Sequence, residues 1–102
     1  MHRDDDVEQT AMAVAMEYEL AEGCKPEDVS KLNLGYDIKS VNRDFSKRYI
    51  EVKGRSAVGG VMLSENEMNR LGQLGDSAWL YIVLNCKSKP ELIRINNPTN
   101  TL

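Results

Sequence analysis

Arg48-Tyr49-Ile50-Glu51-Val52-Lys53-Gly54-Arg55 is the stretch whose alternation decides how this chain folds. In an extended strand Ile50 and Val52 fall on one side, and Tyr49, Glu51 and Lys53 fall on the other. Upstream, Gly35-Tyr36-Asp37-Ile38-Lys39-Ser40 alternates in the same way, with Asp37 and Lys39 opposite Tyr36, Ile38 and Ser40. The polar run from Asn42 to Lys47 reads as a turn, which makes the two strands a hairpin. Glu51 and Lys53 share a face, and Asp37 on the neighbouring strand can point to it as well. Backbone geometry alone thus gathers two carboxylates and an ammonium. Without a counter-ion Asp37 and Glu51 repel, and one is driven toward protonation. A Mg²⁺ ion relieves that repulsion, since it is usually held by one or two carboxylates with waters and substrate phosphate. Lys53 is then placed to orient or deprotonate an attacking water, or to steady a phosphate oxygen. These parts suit phosphodiester hydrolysis. The plainer alternative is a cross-strand ion pair on a solvated sheet face, which is worth little.

Outward from the hairpin, Val7 to Glu22 reads as a helix, with Val7, Ala11, Val14, Tyr18 and Ala21 on the helical stripe. Met12, Met16 and Leu20 widen that stripe, which predicts a helix wedged between a sheet and another element. Gly23 and Pro26 mark its end, and Glu27 to Leu34 reads as a loop. After Gly59-Gly60, Val61 to Leu63 reads as a short third strand. Ser64-Glu65-Asn66-Glu67 is a capping box, which predicts a helix with Met68 and Leu71 inward, ending near Gly72 to Gly75. Ser64 and Glu67 are read as a cap and not as chemistry. Ala78 to Asn85 is nearly continuous in apolar residues and reads as a central strand. Glu91 to Ile95 is the last strand. The order α-β-β-β-α-β-β predicts an α/β fold, a mixed sheet with helices on both sides. Residues 7–98 make one domain between tails at 1–6 and 99–102.

With 102 residues, 41% hydrophobic and 28% charged, the chain has the make-up of one globular domain. Its net charge is −3, yet six of its thirteen Lys and Arg lie between Lys39 and Arg55, which fits either a local basic face beside the hairpin or scattered solvated charge. The only histidine is His2, which argues against a His-built zinc site or a histidine base. Cys24 and Cys86 have no metal-type spacing. The N-terminus is polar and acidic, and the longest apolar run, Trp79 to Leu84, is too short for a bilayer. A cytoplasmic location with reduced thiols and no membrane association is the expectation. Gly59-Gly60 lacks the pattern of a phosphate-cradling loop and reads as a turn.

The segments AMAVAMEYELAEG, PEDVS, GYDI, YIEVKGR, LSENE and WLYIVLN follow one another from Val7 to Pro98. In this order they resemble the NO VEIN carboxy-terminal domain family, within the PD-(D/E)XK nuclease superfamily that the Asp-then-Glu-x-Lys pattern resembles. The resemblance implies a restriction-endonuclease-like core, often a module beside a helicase or ATPase. On it, Asp37 and Glu51 match the metal carboxylates and Lys53 the motif lysine. Many superfamily members add a glutamate from the leading helix. Glu19 is the candidate here, with Glu8 three turns away on the same line of the helix. The expectation is a Mg²⁺- or Mn²⁺-dependent nuclease acting on DNA in preference to RNA. Its rival is a nuclease-fold module that binds nucleic acid or a partner protein without cutting.

Overall fold

The structure, a computed structural model, describes residues 5–101. Helix α1 (Asp5–Ala21) carries Asp5, Asp6 and Glu8 in its first turn, where the positive end of the helix dipole favours them. It stops at Gly23, whose φ is +82°. A Cβ there would run into the Arg43 guanidinium, so the left-handed turn needs glycine. The buried line of α1 is Val7, Ala11, Ala15 and Glu19. Small residues on that line let the helix lie close to the sheet. A Cβ at Gly54 would meet the Ala11 Cβ at 2.8 Å. The apolar coverage is narrower than the sequence predicts, for Leu20 is 61% exposed.

Five strands follow in spatial order: β1 (Lys25–Asp28), β2 (Ile38–Val41), β3 (Lys47–Gly54), β4 (Ala78–Leu84) and β5 (Glu91–Asn96). All neighbours are antiparallel except β3 and β4, which are parallel, so the sheet is mixed. The parallel step needs a crossover, and helix α2 (Glu65–Leu74) lies in it. Its capping box is complete: Ser64 Oγ accepts the Glu67 N–H at 3.1 Å, and the Ser64 N–H donates to Glu67 at 2.8 Å. Ala15, Ile38, Ile50 and Tyr81 form the core under α1. On the opposite face Ala78 and Leu80 are buried, and α2 covers that face with Leu71. Helices therefore lie on both sides of a mixed sheet, as the element order predicts.

The strands that realise this order differ from those read in the sequence. Strand β1 occupies Lys25–Asp28, partly in the expected loop. Its residues have little strand preference, and it exists because β2 offers an edge, where Pro26 is tolerated. The expected strand at Val61 to Leu63 does not form. The chain leaving β3 instead bonds along the end of β4, with the Arg55 N–H donating to Val83 and the Cys86 N–H to Arg55, both at 2.9 Å. Strand β2 starts at Ile38 and not at Gly35, because Asn33 and Gly35 take φ of +59° and +87° in the approach to it. Where a tail was expected from residue 99, a short helix α3 (Pro98–Thr101) packs against α2, with Pro98 buried. Asp5 and Asp6 belong to α1; the rest of the expected N-terminal tail, with His2, and Leu102 lie outside the described residues. Among those described, no helix is long and apolar enough to cross a membrane.

Candidate active site

Strand β2 is shorter than β3, and the mismatch builds the site. The register pairs Ile38 with Ile50, so Asp37, one residue before β2, stands across from Glu51. Past Ile50 the edge of β3 has no β2 residue beside it, which would leave the Val52 N–H unsatisfied. Asp37 Oδ2 accepts that N–H at 2.8 Å, while the Asp37 N–H donates to the Ile50 carbonyl at 2.8 Å. Glu51 is only 4% exposed. Lys53 Nζ lies 3.4 Å from Glu51 Oε2, 3.0 Å from Glu67 Oε1 and 3.1 Å from Glu67 Oε2. The structure thus brings Asp37, Glu51 and Lys53 together, and it adds Glu67 from the first turn of α2.

Burial, then the Asp37 carboxylate, then Glu67 push the Glu51 carboxyl from its ordinary 4.5 up to about 9. Burial raises Asp37 too, against the lowering effect of the Val52 N–H. Glu67 is held below the usual range: its burial works upward, but bonds with Glu51, the Ser64 backbone and Lys53 outweigh it. For Lys53 burial works downward, and the Glu67 and Glu51 carboxylates prevail, so its ammonium holds its proton more firmly than usual. At neutral pH Glu51 therefore keeps a proton while Lys53 stays charged. Two recesses open onto this group. One of about 890 Å³ includes Glu8, Met12, Lys31 and Lys53 in its wall, and one of about 270 Å³ includes Tyr36, Ser64 and Glu67. They share Ser30, Asn33, Asp37 and Glu51, so the two carboxylates stand where the lobes meet.

Glu19 does not join them, a correction to the sequence expectation. It is fully buried under α1, where Oε2 accepts the Tyr81 hydroxyl at 2.5 Å and Oε1 pairs with Arg48 at 3.1 Å. Glu8 lines the larger recess instead. The reason is the direction of α1, whose N-terminal residues Val7 and Ala11 lie against Gly54 at the open edge. The spacing of Glu8 and Glu19 was legible, but which end of the helix meets the edge was not. The sequence marks Glu67 as a cap, and no sequence signal says which strand α2 overlies. Of the two readings of the basic cluster, a single face is not what forms at Arg48 and Lys53: Arg48 turns to Glu19 and Lys53 to Glu67, on opposite sides of the sheet. Trp79 and Tyr81 are packing residues, with the Arg94 guanidinium 4.5 Å and 5.2 Å from their ring centres. Tyr36 and Tyr49 meet edge to face, 5.0 Å between centroids.

The molecule is thus a mixed α/β domain with an acidic, lysine-bearing recess at the edge of its middle strand. The family model described as Protein NO VEIN, C-terminal, matches residues 7–95, and the chain belongs to that family. No match was found among curated proteins or among solved structures.

Proposed function

We propose that this is a metal-dependent nuclease domain with a PD-(D/E)XK, restriction-endonuclease-like core. In this reading it hydrolyses phosphodiester bonds in DNA, as a module of a larger helicase- or ATPase-type protein. The observation that carries the reading is the convergence of Asp37 and Glu51 at an open strand edge, with the Lys53 ammonium 3.4 Å from Glu51. Paired, buried carboxylates are costly unless something positive joins them. Among the described residues no group of three or more His, Cys, Asp or Glu is arranged to hold an ion. A two-carboxylate site is enough for Mg²⁺ or Mn²⁺, whose shell substrate phosphate and water complete. Asp37 and Glu51 would hold the ion, and Glu8 borders the same recess. When bound, the ion supplies charge neutralisation at the phosphate and acidifies water.

The chain's own residues do the rest. Lys53 stays an ammonium, so it suits donation to a phosphate oxygen better than removal of a proton from water. Asp37 is oriented by the Val52 N–H, and its carboxylate also accepts from the protonated Glu51, a bond that an ion would replace. The two lobes offer a polymer a path on either side of the carboxylates. The competing reading, a binding module that does not cut, draws on the close hold that Glu67 and Glu51 keep on Lys53. The deciding experiment incubates the domain with Mn²⁺ and single-stranded, duplex and branched DNA, and with RNA. Cleavage that Asp37→Asn, Glu51→Gln and Lys53→Ala each abolish is the expected result. Cleavage surviving all three would overturn the site, and binding without cleavage would favour the module.

A further inference from the structure

We propose that Glu67 is the positioning residue for Lys53, which joins the capping box of α2 to the candidate active site. The inference rests on the reading of Lys53 as the site's lysine. Glu67 carries two duties on one carboxylate. Its Oε1 accepts the Ser64 N–H at 2.8 Å, and its Oε2 accepts from Lys53 Nζ at 3.1 Å. The first bond comes from the Ser64 backbone and fixes the carboxylate independently of the Ser64 hydroxyl, which accepts the Glu67 N–H at 3.1 Å. The second fixes the lysine, whose flexible four-carbon stem has no geometry of its own. The ammonium lies 3.0 Å from Glu67 and 3.4 Å from Glu51. Glu67 therefore shares the ammonium with Glu51 and holds it the more closely of the two. A helix that served only to cover the sheet would have no reason to place its third residue against the motif lysine. Glutamine would complete the capping box equally well.

That equivalence separates the two duties. Glu67→Gln keeps an amide oxygen for the Ser64 N–H but removes the negative charge from Lys53. Ser64→Ala removes the cap and leaves the Glu67 carboxylate in place. In the metal-free full chain, the labelling rate of Lys53 by an amine-reactive reagent, followed by peptide mass spectrometry, reads the lysine directly. Glu67→Gln should speed labelling about three- to tenfold, as for an ammonium that loses its charged partner at 3.0 Å, and Ser64→Ala should match the wild type. In Mn²⁺ titrations Glu67→Gln should bind several-fold more weakly, because Lys53 falls back on Glu51, and Ser64→Ala should again match. Equal labelling in Glu67→Gln and wild type, or equal acceleration by Ser64→Ala, would overturn the proposal and leave Glu67 a cap. A wild type that binds no Mn²⁺ would remove the metal reading, while the labelling comparison would still decide Glu67. If Glu67→Gln folds poorly, thermal melts in a Lys53→Met background replace labelling. The Gln substitution should lower Tm less there than in the wild type, and equal losses would overturn the coupling.

Discussion

The two faces of the sheet each bury a glutamate, and their surroundings are opposite in kind. Under α1, Glu19 is met by the Arg48 guanidinium and the Tyr81 hydroxyl, and Arg48 reaches on to Cys24 Sγ at 3.1 Å. Burial and the bond to Glu19 hold the Tyr81 hydroxyl far above its ordinary value, so it stays a donor. Glu19, Arg48 and the Tyr81 hydroxyl thus satisfy one another by opposite sign or complementary polarity. On the α2 side, Glu51 is met by two more carboxylates, Asp37 and Glu67, and shares a single lysine with one of them. The first glutamate is spent on holding helix to sheet. The second is left short of positive charge, which is the condition in which buried carboxylates commonly serve a site. Two acids on one chain, both almost wholly buried, are thus told apart by their neighbours and not by their burial.

Four experiments would break or sharpen that contrast. The largest effect belongs to Glu19→Ala, which strands Arg48 and the Tyr81 hydroxyl. It should cost about 3 kcal/mol, the low end for a broken buried pair because Arg48 keeps some water. Urea melts measure this, and a loss under about 1 kcal/mol would mean that the α1 network is not the anchor described. On the other face, stability should depend on metal and on pH. Mn²⁺ at a hundredfold excess over its dissociation constant should stabilise the wild type by about 2.7 kcal/mol, and Glu51→Gln by much less. In the metal-free protein the raised Glu51 pKa means that the folded state binds the proton more tightly than the unfolded chain. That stability is fully present below 4.5 and is lost as pH rises through about 9. Melts at intervals across this range should show the wild type falling relative to Glu51→Gln, and parallel profiles would contradict the assignment. The smallest effect is Ser64→Ala, about 1 kcal/mol for a lost helix cap. An unchanged Tm would mean that the box contributes nothing to α2.

Much of this was legible from residue order. The alternation of Tyr49 to Lys53 places Glu51 and Lys53 on one face, because side-chain direction in a strand has a period of two and needs no tertiary information. The Ser64 to Glu67 box announces α2 for the same reason: its bonds close within four residues. The apolar run of β4 marks an interior strand, and it lies between β3 and β5. What residue order left undecided are the matters that depend on where distant segments dock. Lys25–Asp28 becomes a strand only because β2 has a free edge, whereas Val61 to Leu63 pairs with no strand. Glu8 and Glu19 are indistinguishable along the helix axis. Only the packing of Ala11 against Gly54 sends the first to the recess and the second to Arg48 and Tyr81. Glu67 joins Lys53 because the crossover lays the start of α2 over β3, a contact between residues fourteen apart. Local hydrogen bonds and strand parity are properties of a few consecutive residues, so the sequence by itself determined them. The partners of a buried charge are chosen by the whole fold, so only the tertiary structure could name them.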